Sequence, residues 1–164
     1  LYLTESLADS RFVARRIGTI FSLLCASPAY LEKYGEPKSL DDLQKHACLR
    51  LVNPSITPQW HLVSEDSCSY QIDITGQLIA DTPELLLDMV QQDMGIALLP
   101  TFAVIEAIRT GRLRRVLADW RSPDIGVYTL LPSRHFIDAK TRAWLTWVEQ
   151  HISPKIQSDT DYFL

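Results

Sequence analysis

An α/β fold with a largely parallel sheet is predicted by three features of this 164-residue sequence. Apolar runs of strand length alternate with stretches at helical spacing, and a hydroxyl residue stands wherever such a run gives way to a helix. Hydrophobic residues make up 46% of the chain and charged residues 22%, enough apolar side chain for one ordinary core or two small lobes.

The first two strands are FVARRIG and FSLLCAS, the second apolar almost throughout, as a buried strand is. Ser27 as N-cap and Pro28 in the first turn start a helix that Gly35 closes. Ser39 with Asp42 three residues on starts a short one, LDDLQKH. Strands follow around CLRLV, QWHLV and YQIDITGQL, where Tyr70, Ile72 and Ile74 alternate with Gln71, Asp73 and Thr75. Thr82 and Pro83 begin a helix whose stripe is Leu85, Leu86, Met89, Val90 and Met94, and Gly95 is expected to end it with positive φ. IALLP reads as a buried strand, Thr101 starts a helix that runs to Gly111, and LRRVL and GVYTLLPS read as further strands. A last helix from Asp138 carries Trp144, Leu145, Val148 and Ile152 on one face, and SPKIQSDTDYFL reads as a frayed tail.

Several functions are disfavoured. A net charge of −4 and a pI near 5.5 argue against nucleic-acid binding by this chain, and the arginines of RTGRLRRVLADWR read as a cation-rich helix end and a solvated strand face. Cys25, Cys48 and Cys68 are odd in number and widely spaced, so neither a disulfide framework nor a zinc site is expected, and a cytoplasmic location fits. No apolar run has membrane-spanning length. His46, His61, His135 and His151 are scattered without acidic or thiol partners at ligand spacing, and no nucleophile has its base. Neither metal, cofactor nor catalytic residue is predicted.

In a parallel sheet ligands bind beyond the carboxyl ends of strands, where helix N-termini offer free N–H groups to an anion. Ser27–Pro28, Thr82–Pro83 and Thr101–Phe102 each occupy such a place, with Pro100 before the last and Asp81 before the second. Asp81 is expected to bond the N–H groups of its own helix rather than to repel an anionic ligand.

The ordered series VARRIG, LLCASPAYLEKYG, DLQKHACLRL, DMGIALLPTFAV, GRLRRVLADW and VYTLLPSR resembles the effector-binding domain of LysR-type transcriptional regulators, from about Leu3 to Ile152. The resemblance implies a two-lobed fold like the type 2 periplasmic binding proteins, with a small polar or anionic effector between the lobes. The first lobe is then residues 1–21 and 123–152 and lacks its N-terminal strands and helices; the second is 22–122, and 153–164 is the tail. Effector contacts are expected from Thr4, Ser27, Pro28, Asp81, Thr82, Pro100, Thr101, Phe102 and Tyr128. The resemblance further implies a homo-oligomer that reaches DNA only through an N-terminal winged helix-turn-helix outside this chain. A solute-binding protein for uptake is the alternative on the same fold, and an enzyme the weakest one.

Overall fold

The computed structural model describes residues 2–4, 13–51, 59–64, 66, 68–74, 78–131 and 138–164. Phe12, Val52, Thr75, Ser133 and His135, which belong to predicted elements or candidates, lie outside them. The chain divides into two units, residues 1–21 with 124–164 and residues 22–123.

The first unit is a three-stranded antiparallel sheet in the order β1 (Tyr2–Thr4), β11 (Ile125–Leu131), β2 (Val13–Ile20), with helix α4 (Ala139–Asp161) packed on β2. Its core joins Ile17, Ile20 and Val127 to Val148, with Ile152 and Ile156 packed alongside. Residues 153–161 are therefore not a frayed tail. They continue α4 through Pro154, and Thr160 donates to the Thr19 carbonyl at 2.9 Å, so side-chain packing holds a segment whose sequence lacks a helical stripe. Trp144, expected on the packed face of this helix, is 45% exposed, while Val148, Ile152 and Ile156 turn toward the sheet.

The second unit holds β3 (Ser22–Ala26), α1 (Pro28–Tyr34), a 3-10 helix (Leu40–Lys45), β4 (Cys48–Leu51), β5 (Gln59–Ser64) and β6 (Ser69–Asp73). It continues with β7 (Ile79–Ala80), α2 (Pro83–Gln91), β8 (Ile96–Pro100), α3 (Thr101–Arg109), β9 (Arg114–Arg115) and β10 (Trp120–Arg121). The strand order is β6-β5-β10-β3-β8-β4-β7, with β9 on β3. Only β4 runs parallel to its neighbours β7 and β8; β3 runs antiparallel to β8, β9 and β10. The sheet is thus mixed and not largely parallel. Alternating apolar runs and helices do not encode strand direction when some connections are short arms, as between α3 and β10. Leu24, Ala26, Cys48 and Ile96 pack with Tyr30, Leu31, Leu43, Trp60 and Leu62 in one core cluster. Alternation turns Leu23, Leu49, Ala97 and Leu99 the other way, all buried, and α2 and α3 pack against β8.

The end of α2 differs from expectation. Asp93, at φ 61, takes the left-handed position, with Asp93 N donating to Val90 O and Met94 N to Met89 O, the two bonds of a Schellman closure. Gly95 does have positive φ, at 153, but two residues later and for another reason: a Cβ there would overlap the Ala47 carbonyl oxygen, which accepts from Ile96 N.

Candidate functional site

Strand direction decides which predicted residues meet. Because β3 and β8 are antiparallel, Ser22 pairs with Pro100 and Cys25 with Ala97, so Ser27 and Thr101 leave opposite ends of the sheet. Ser27 and Pro28 are thereby separated from the other candidates. The Ser27 hydroxyl accepts from Tyr30 N at 3.1 Å and donates to Asp93 Oδ1 at 2.5 Å, joining the start of α1 to the end of α2. The sequence error was the assumption of parallel strands.

The parallel ladder through β4 gathers the remaining second-unit candidates at one end. Leu51 pairs with Ala80, and Leu49 with Ala97, so Ala80 and Leu99 stand level across β4 and Thr82 and Thr101 each follow two residues on. Ser22 joins them from β3.

The two helix starts at this end are built differently. Thr82 caps α2, its Oγ1 accepting from Leu85 N at 3.3 Å. Asp81 is exposed and makes no hydrogen bond among the described residues, so the expectation that it caps its helix fails; the better-placed Thr82 does so. Helix α3 begins after Pro100, whose side chain has no acceptor, so its first turn has no side-chain cap. Thr101 stands in that turn, fully buried, and its Oγ1 has no hydrogen-bond partner. A buried hydroxyl without a partner carries a desolvation cost of about 1–3 kcal/mol. Phe102 beside it is 43% exposed. Together these place an uncapped helix start, an unpaired hydroxyl and an aromatic ring side by side, chemistry that suits a small oxyanion attached to an apolar body.

In the first unit, Thr4 pairs with Gly126 on the edge strand β1, and Tyr128 follows on β11. The Tyr128 ring lies so close over Gly126 that a Cβ at Gly126 would come within 2.7 Å of its hydroxyl oxygen. Alternation places Tyr128 on the face of β11 opposite Val127, hence opposite α4. A surface groove lined by Ala139, Arg142, Ala143, Thr146, Trp147 and Gln150 runs along α4 and includes none of the candidates.

Among the described residues, His46, Cys25 and Cys48 are packed into the fold. His46 Nδ1 lies 3.2 Å from Tyr30 Oη, which accepts from Ala47 N at 3.0 Å, and burial lowers the His46 pKa. Burial pushes the Cys25 thiol up to about 12 and Cys48 to about 11, so neither is a thiolate at neutral pH. No group of three or more metal-binding side chains occurs among the described residues. No helix there is long and apolar enough to cross a membrane.

Two α/β units joined by two chain crossings, each unit with its own sheet, define a domain of the periplasmic-binding-protein-like class. The chain belongs to the LysR substrate-binding-domain family, whose model matches residues 1–153. It is 29% identical over 163 residues to an HTH-type transcriptional regulator of Xanthomonas campestris pv. campestris, covering 97% of this chain and 46% of that protein. It is 28% identical to the HTH-type transcriptional activator AaeR of Escherichia coli, covering 97% and 48%. The chain thus spans about half the length of the curated relatives it matches. Among solved structures, the regulatory domain of CrgA from Neisseria meningitidis superposes with a TM-score of 0.79 at 26% identity, covering 90% of this chain and 72% of that one. The regulatory domain of AphB from Vibrio vulnificus, treated with cumene hydroperoxide, gives 0.78 at 25%, covering 92% and 73%. The family and these relatives are transcriptional regulators, not enzymes.

Proposed function

We propose that this chain is the sensing part of a cytoplasmic, homo-oligomeric transcription regulator, and that it holds a small oxyanionic effector at the end of the second unit where α2 and α3 begin. Thr82, Pro100, Thr101 and Phe102 line the site in that unit, with Asp81 at its margin. Ser27 and Pro28 are excluded. Occupancy biases the regulator toward the state that binds the effector better, and the oligomer passes that bias to a winged helix-turn-helix outside this chain.

The observation that carries this reading is the unpartnered, fully buried hydroxyl of Thr101 in an uncapped helix start. Such a group lowers stability without a ligand and repays it when one binds. The test is differential scanning fluorimetry of the full-length protein with a panel of small carboxylates, phosphate and sulfate. A member of the panel should raise the melting temperature of the wild type and fail to do so for Thr101→Val. An equal rise in both proteins contradicts the assignment.

A further inference from the structure

Helix α4 continues from Pro154 to Asp161, past residue 153, where the family match ends. Pro154 has no N–H to offer the Gln150 carbonyl, so the helix loses a hydrogen bond at this point. Beyond it the segment is fastened to β2. Ile156 seats on Gly18 so closely that a Cβ there would come 2.6 Å from Ile156 Cγ2, a fit that only glycine allows. Thr160 is buried and donates to the Thr19 carbonyl at 2.9 Å. Asp159 beside it is also buried, with the exposed Lys155 ammonium at 3.5 Å.

The place where this segment is fastened gives it a role. Thr19 stands three residues before Ser22, on the first of the two chain crossings, with Ile20 between them in the core of the first unit. Ser22 pairs with Pro100, the residue before Thr101. It is gripped from its other side as well, Ser22 N donating to Ser122 Oγ at 2.8 Å and Ser122 N to Ser22 O at 2.9 Å. Extended chain does not stretch, and packed neighbours transmit a displacement, so a restraint on Thr19 reaches Ser22 and the strand end that launches α3. We propose that residues 154–161 are a strap, hinged at Pro154 and seated on Gly18 and Thr19, that restrains this crossing and steadies the start of α3. Its regulatory consequence rests on the site proposed above: a helix start that is already ordered costs less to fix on binding, so the strap raises effector affinity.

Hydrogen–deuterium exchange of the full-length protein without ligand tests the strap whether or not an effector binds at α3. Peptides covering 17–22 and 100–106 should exchange about fivefold faster in Thr160→Val and in the protein shortened to end at Ser153. Thr160→Ser, which keeps the donor, should exchange like the wild type, and a peptide covering 59–64 should be unchanged in all. Faster exchange at 17–22 with 100–106 unaffected confines the effect to β2 and overturns the proposal, as does an unchanged rate at both. Equal acceleration at 59–64 marks a general loss of stability and overturns it too. The effector reading is decided separately, by the melting experiment on Thr101→Val.

Discussion

Ser27 and Asp93 form a short hydrogen bond, 2.5 Å from Oγ to Oδ1, across two helix ends that the sequence keeps 66 residues apart. Asp93 is a non-glycine residue in the left-handed region, and the Ser27 hydroxyl holds its carboxylate there while also capping α1. Ser27→Ala removes both bonds and should lower unfolding free energy by about 1–2 kcal/mol. Because this pair lies at the sheet end away from Thr101, effector-induced stabilisation should be unchanged. Urea denaturation with and without effector measures both quantities, and a lost ligand shift would place the site at the wrong end.

At Gly95 the cost of a side chain is steric. Any Cβ meets the Ala47 carbonyl, and the backbone is already at φ 153, so Gly95→Ala should destabilise by about 2 kcal/mol or more. The same denaturation experiment reads it, and a neutral substitution would show that the Ala47–Ile96 contact yields easily.

Thr101→Val should behave in the opposite sense. Replacing an unpaired buried hydroxyl by a methyl group of similar shape should raise the stability of the effector-free protein by about 1 kcal/mol. A drop in stability would mean that Oγ1 has a protein partner.

His46 makes stability depend on pH. Its folded pKa lies below the ordinary 6.5, burial being the first cause, with Lys45 adding and Asp42 opposing. Between the two pKa values the unfolded chain binds more protons than the folded one, so stability should rise with pH through that window and level off above 6.5. Urea midpoints between about pH 5 and 8 should show this slope, and His46→Gln should flatten it. A slope that persists in the variant assigns the effect elsewhere.

Much of the second unit was legible because its signals are local. Ser27, Ser39 and Thr82 mark helix starts by chemistry confined to four residues, and IALLP is too short and apolar to be anything but a buried strand. Strand direction was not legible, since it depends on which distant strands pair, and that hid the separation of Ser27 from Thr101. Asp93 was overlooked because glycine is the usual left-handed residue, while the partner that stabilises an aspartate there comes from another helix.

Hydrogen–deuterium exchange of the full-length protein, with and without whichever panel compound stabilises it, tests the central claim most directly. Peptides covering 81–86 and 100–106 should gain protection on binding, and those covering 27–34 should not. Protection confined to 27–34, with 100–106 unaffected, would contradict the placement of the effector at the start of α3.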